Sequence, residues 1–258
     1  MACMAGTGFK TTIGVAVAMA LAGASAATLA YAQTGDPPPG PRATPSADPK
    51  DFSGIWQQKG YAIRYPVVGG GQAPYLPWAA AEAKRRGDAQ RAGKPITDST
   101  AQCMPSGVPR VMGAPYPIEV LQSKKQVVIL HEVQHLFRHI YLNEDHPKDL
   151  DPTFMGHSVG RWEGDTLVVD TTAINKDTLI NEAGDPHSDK MHIVERWSKS
   201  KDGQVLTDLL TIDDPGAYSK PWSIEYKYYW RPDIRFIEYI CEENNRNFTD
   251  ENGVVRAK

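Results

Sequence analysis

Trp222-Ser223-Ile224-Glu225-Tyr226-Lys227-Tyr228-Tyr229-Trp230 is the stretch that decides the fold. Trp222, Ile224, Tyr226, Tyr228 and Trp230 fall on one face, and Ser223, Glu225, Lys227 and Tyr229 on the other. A period of two marks a strand with one buried face. Five large apolar side chains in register predict that this face looks inward, onto a packed core or onto an aromatic-lined pocket.

The same alternation spreads outward through 118–121, 126–131, 136–142, 158–162, 166–172, 191–198, 204–212 and 234–241. Polar linkers at 122–125, 163–165, 201–203 and 231–233 read as hairpin turns, and Gly164 suits a position of positive φ. Phe52-Ser53-Gly54-Ile55-Trp56 reads as the first strand. Roughly nine strands joined mostly by hairpins describe a mainly β fold. Long sequential hairpins tend to curl shut, because closure removes exposed edges. The expectation is an antiparallel up-and-down barrel of the lipocalin kind, with a β-sandwich as the alternative. One short N-terminal helix is expected, with Pro77 in its first turn, a body over 78–92 and Gly93 as its stop.

Residues 1–32 read as a secretory signal: Lys10, a small apolar run over 11–29, then Ala30-Tyr31-Ala32 before the cleavage point. Ala26 is a second cleavage candidate. The run is too diluted by Gly, Ser and Thr for a transmembrane anchor, so no membrane span is expected after processing. Residues 33–50 hold six prolines among small polar residues and read as a disordered spacer, leaving 51–258 as a single β domain. Loss of 32 residues leaves 226, and because Lys10 is the one charged residue removed, the net charge moves from −3 to −4. That balance, with no basic stripe, argues against nucleic acid as a partner. A periplasmic or secreted bacterial location follows from the signal, and a homo-oligomer is compatible with it. In an oxidising compartment Cys103 and Cys241 are expected to form a disulfide, worth ~4–5 kcal/mol for so long a loop; two separate buried thiols are the alternative.

Sorting by face places ionisable groups among apolar neighbours. Glu195 shares a face with Met191, Ile193 and Trp197, Glu132 follows Val128 and Leu130, and Glu238 lies with Ile234, Phe236 and Ile240. A buried carboxylate must be paired or protonated. Arg138, Arg196 and Arg235 are the available partners; the functional alternative is an acid or base of raised pKa.

His131-Glu132-Val133-Gln134-His135 spells H-E-x-x-H, which binds zinc only when a helix aligns both imidazoles. Its surroundings are β-branched and alternating, so a peptidase is disfavoured and His131 and His135 stay weak metal candidates. No cofactor is implied, with a divalent metal left open. A second cluster runs from His187 through His192 to Glu195, and His157 enters from another loop-to-strand junction. Function gathers on loops at the open end of a rigid scaffold. No phosphate loop, dinucleotide fingerprint, CxxC, haem-attachment motif or G-x-S-x-G elbow is present.

Asp51-Phe-Ser-Gly-Ile-Trp56, Cys103-Met-Pro-Ser-Gly-Val-Pro-Arg110 and, above all, Asp151-Pro-Thr-Phe-Met-Gly-His-Ser-Val-Gly-Arg-Trp-Glu-Gly-Asp-Thr-Leu-Val-Val-Asp-Thr171 carry a family likeness. It continues through Pro186-His187-Ser188, His192-Ile-Val-Glu-Arg196 and Ile212-Asp-Asp-Pro-Gly-Ala-Tyr-Ser-Lys-Pro221. Through these the chain resembles a group of exported, mostly uncharacterised bacterial β-rich proteins. The resemblance implies export and β structure, and its association with degraders of plant polymers points toward aromatic ligands.

The functional expectation is a small-molecule enzyme acting on a hydrophobic, aromatic compound by acid–base chemistry, as a lyase, isomerase or hydrolase; a lyase of lignin-type aromatic dimers is one concrete version. Glu132, His157, His187, His192 and Glu195 are the acid–base candidates, with Arg138 or Arg196 steadying an anion. Trp162, Trp197, Tyr226 and Tyr228 would grip the substrate. A non-catalytic binding protein for a similar ligand is the alternative, and a metal-dependent hydrolase the second.

Overall fold

In the computed structural model, residues 44–94, 96, 98–241, 247–249 and 255–257 are described. The expected signal and the first part of the spacer lie outside them. Nine strands close into one barrel in sequence order, so the sandwich alternative is set aside. They are β1 (Gly54–Gln58), β2 (Ile118–Gln122), β3 (Gln126–His131), β4 (Leu136–Leu142), β5 (His157–Glu163), β6 (Thr166–Thr172), β7 (His192–Lys199), β8 (Val205–Asp213) and β9 (Trp222–Trp230). A separate pair, β10 (Asn247–Thr249) and β11 (Val255–Ala257), follows. The one described α-helix, α1 (Pro77–Arg91), has Pro77 in its first turn as expected.

The barrel is not strictly antiparallel. β4 and β5 pair in parallel, Ile140 opposite Ser158 and Leu142 opposite Gly160, while β9 returns antiparallel to β1. Parity requires this: nine strands on a ring cannot alternate direction at every junction. A parallel pair cannot be joined by a hairpin. Residues 143–156 therefore run back along the barrel wall before β5 begins. The expected strand over 234–241 is absent; residues 234–240 are irregular. That segment lies against the H-E-x-x-H stretch, Ile237 N–H donating to Glu132 Oε2 (3.1 Å) and Tyr239 N–H to His135 Nε2 (2.8 Å). Its backbone is thus partly satisfied by side chains instead of a ladder.

The register assigns the two barrel ends distinct roles. Short hairpins 123–125, 164–165 and 200–204 close the base. Gly164 turns there with φ of 60°, as its hairpin demands. The long excursions 59–117, 173–191 and 214–221 all leave from the opposite end, the mouth. The inner face is read correctly from the alternation in β7 and β9: Ile193, Glu195, Trp197, Trp222, Ile224, Tyr226, Tyr228 and Trp230 are all buried.

The base is sealed by rings. Phe52 packs on Trp162 with centroids 5.2 Å apart, and Trp56 meets Trp230 edge-on at 5.1 Å. Gly54 is needed at this point, because at φ of 132° a Cβ would sit 2.3 Å from the Trp230 ring. The spacer also packs earlier than expected: Lys199 Nζ donates to the carbonyls of Ser46 (2.9 Å), Asp48 (2.6 Å) and Asp51 (2.6 Å). The mouth is plugged by a short 3-10 helix, Arg110–Gly113, whose four residues are buried. Met112 O accepts from Tyr228 OH (2.6 Å) and from Gln58 Nε2. A disulfide joins Cys103 to Cys241, tying the mouth loop to the C-terminal segment.

Candidate functional site

Three assemblies of polar side chains arise from this frame. The first lies inside the barrel. Arg138 on β4 is 1% exposed and spends all five N–H groups. Nε donates to Ser158 Oγ (3.0 Å), Nη2 to Thr171 Oγ1 (2.7 Å) and to Glu195 Oε2, and Nη1 to Glu195 Oε1 (2.9 Å) and to Met112 Sδ (3.7 Å). Trp197 Nε1 adds a bond to Glu195 Oε1 (3.1 Å). The structure thus brings Arg138 and Glu195 together as a buried ion pair, with Trp197, Tyr226 and Tyr228 packed beside it.

Asp208 on β8 was not singled out from the sequence, although it alternates with Leu206, Leu210 and Ile212 on the inner face. It is fully buried, and neither of its oxygens accepts a hydrogen bond. Burial, followed by the Glu195 charge, pushes its carboxyl well above the ordinary range. An ionised orphan carboxylate would cost several kcal/mol, whereas a protonated one donates to Glu195. The layer then holds one cation, one anion and one neutral acid. His131 enters the same interior with both ring nitrogens unpartnered, and burial, helped by Arg138, pushes it down to about 3.

The remaining H-E-x-x-H residues go elsewhere. Val127, Ile129 and His131 face inward and Val128 and Leu130 do not, while Glu132, just past the strand end, is buried as expected for that carboxylate and accepts from Ile237 N–H. The backbone leaves the strand at Glu132, and Gln134 and His135 take φ of 59° and 49°. His131 and His135 therefore share neither a helix face nor a strand face. Trp162 belongs to the base, away from the polar layer.

The second assembly is a cleft of about 810 Å³ at the mouth, between α1, the loop through Met104 and the excursion from β6 to β7. Its apolar lining includes Trp78, Met104, Phe154, Leu179 and Pro186, flanked by Arg85, Arg86 and Lys176. Trp78 is 46% exposed and Met104 42%, an unusual surface cost for such side chains. His187 lies in the wall and is 6% exposed. Its Nδ1 lies 2.8 Å from Ser188 O, and since a carbonyl only accepts, Nδ1 carries a proton. Nε2 faces Thr178 Oγ1 at 2.7 Å, and that hydroxyl also reaches Asn175 O at 2.9 Å. Burial lowers the His187 pKa, so the ring is neutral at neutral pH.

The third assembly is on the outer wall. His157 and His192, at the mouth ends of β5 and β7, meet through two residues the sequence reading passed over. His146, on the crossover, places Nδ1 2.8 Å from His157 Nδ1 and Nε2 2.9 Å from Asp170 Oδ1. His192 Nε2 reaches the same Oδ1 at 2.9 Å. The His192 bond holds the Asp170 carboxyl below its usual range, and Asp170 raises the His192 pKa. Burial and the neighbouring His146 lower that of His157. Only His146 lacked any signal in the strand pattern, since it sits in a loop.

No family model matches the chain, and neither the curated proteins nor the solved structures contain a match to it.

Proposed function

We propose that the protein is an exported bacterial enzyme that binds a small hydrophobic, aromatic compound in the mouth cleft and transforms it by acid–base chemistry, with His187 as the proton-transfer group. The carrying observation is the partner of His187 Nε2. With the ring neutral, Thr178 donates its single hydroxyl proton to Nε2; with the ring protonated, Nε2–H donates to Thr178 Oγ1 and the hydroxyl turns to Asn175 O. Either protonation state is fully bonded, so the imidazole can take and return a proton without leaving an orphan. Exposed Trp78 and Met104, with Phe154 and Leu179, supply the surface an aromatic ring would cover. A lignin-type aromatic dimer undergoing a lyase step fits this chemistry. The mouth is preferred over a lipocalin-like interior site because Met112 and the Arg138–Glu195 layer occupy the barrel. The disulfide and the N-terminal signal reading support a periplasmic or secreted location, and likeness to the exported bacterial group supports the same.

A binding protein is the second reading, favoured by the near-complete burial of His187. One experiment separates the two. Lignin-type dimers are incubated with wild type and His187→Gln, products are separated by chromatography, and binding is followed by Trp fluorescence. Turnover that disappears in the variant while binding persists supports the enzyme. Ligand returned unchanged by wild type supports the carrier, and equal turnover by both proteins refutes the role of His187.

A further inference from the structure

The outer wall carries the ingredients of an ion site that the proposed acid–base reaction does not use. We propose that His146 Nε2, His192 Nε2 and Asp170 Oδ1 bind one divalent first-row transition ion, of which Zn2+ is the type, with His157 as the outer partner that orients His146. Two imidazole nitrogens converge on one carboxylate oxygen, each 2.9 Å away. Ligand atoms bonded to Zn2+ at ~2.0–2.1 Å in a tetrahedron stand ~3.3 Å apart, so each histidine–carboxylate contact needs to open by only a few tenths of an ångström, with the two imidazole nitrogens brought to the same separation. Among the described residues no group of three such side chains is placed to hold an ion as it stands, this one included, so its side chains must move to take one. Hydrogen bonds hold this one closed, and the ion takes the place of the two bridging protons.

The outer shell suits that exchange. Metal-bound imidazoles almost always donate their second N–H to a fixed acceptor. His146 Nδ1 lies 2.8 Å from His157 Nδ1, so when Nε2 binds the ion, the His146 proton moves to Nδ1 and is donated to His157 Nδ1, whose own proton shifts to its Nε2. His157 is itself held by stacking on Tyr141, with ring centroids 5.3 Å apart. The ligand chemistry, two neutral nitrogens and one carboxylate, selects a borderline cation over Ca2+ or Mg2+, which require oxygen cages. Three protein ligands leave a position open, and beside His146 and Asp170 lies a hollow of about 370 Å³ lined also by Glu144, Asp145 and Arg161. His146 is on the crossover, Asp170 on β6 and His192 on β7, so the ion would pin the crossover to the wall. The side chains are 23%, 33% and 39% exposed, which leaves an entry path.

The test uses untagged, chelator-treated full-length protein titrated calorimetrically with ZnCl2 alone. One equivalent is expected to bind. His157→Phe should weaken it ~10–100-fold, as loss of an outer partner does, and Asp170→Asn or His192→Gln should weaken it more. His139→Gln, outside the ligand set, should leave it unchanged. Absence of stoichiometric Zn2+ binding by wild type overturns the proposal, as does wild-type affinity in the Asp170→Asn/His192→Gln double variant. Ring-proton NMR of wild type keeps the question decidable if a variant fails to fold. Zn2+ must shift His146 and His192 and leave His135 and His187 in place; shifts at the latter pair alone refute the assignment.

Discussion

Replacing Asp208 by Asn removes one ionisable group from the barrel interior and changes almost nothing in shape. In wild type the unfolded chain releases the Asp208 proton near pH 4, whereas burial makes the native state hold it to a much higher pH. Between those limits the native state binds one more proton than the unfolded state, so its stability falls as pH rises, by ~1.4 kcal/mol per unit. The contribution is full below the unfolded pKa and lost as pH climbs through the native one. Asn cannot titrate, and its amide supplies the N–H that Glu195 receives from the protonated acid. Urea unfolding at pH 5, 6 and 7, with the disulfide intact, should therefore show the variant gaining on wild type by up to ~2.7 kcal/mol across the range. Parallel pH dependences for the two proteins would refute the protonated Asp208. The complementary change, Arg138→Met, strips the cation from the buried Glu195 carboxylate and should cost ~3–5 kcal/mol.

Other perturbations test other joints. Cys103→Ser opens a link spanning 138 residues and should lower stability by up to ~4–5 kcal/mol, read as a drop in melting temperature that reductant reproduces in wild type. Gly54→Ala forces a methyl onto the Trp230 ring at positive φ, and a loss of ~2–5 kcal/mol in urea unfolding is expected. For His192, NMR titration should give a midpoint above the ordinary imidazole value that falls back in Asp170→Asn. Stability from that bond is accordingly full below the unfolded His pKa, fades as pH rises through the raised midpoint, and fades again at acid pH as Asp170 protonates.

The C-terminal half of the barrel is legible because one side faces a core and the other water, which writes a period of two into β7, β8 and β9. Glu195, Trp197, Tyr226 and Tyr228 were placed inward on that ground alone. Asp208 obeys the same period, alternating with Leu206, Leu210 and Ile212. Glu132 is buried, but not by alternation: the backbone leaves β3 at that residue, and the 234–240 segment lies against it through the Ile237 N–H bond. Residues 234–241 alternate equally well yet form no strand, since β1 already completes the ring with β9. Alternation reports burial; it does not supply a partner edge. The Thr178–His187 contact and the mouth cleft depend on how two long excursions meet, and no local pattern encodes that.

The histidine cluster follows from topology more than from any motif. His131 and His135 are four residues apart and end on opposite sides of the wall, because the chain turns out of β3 between them. His146, His157 and His192 are spread over three elements and end together. The cause is the strand count. An odd number of strands forces one parallel neighbour, the parallel neighbour forces a crossover, and the crossover must return along the outside of the barrel toward the mouth. That path carries His146 across β5 and β6, where His157 and Asp170 alternate outward, and β7 presents His192 beside them. An even-stranded meander of the same sequences would join β4 to β5 by a hairpin at the base and leave His146 far from the mouth. Shortening the 143–156 crossover by excising the His146 turn should therefore abolish the cluster while the ladder bonds of β5, β6 and β7 persist. Amide exchange would read both outcomes, and loss of protection throughout those strands would show that the crossover serves closure itself.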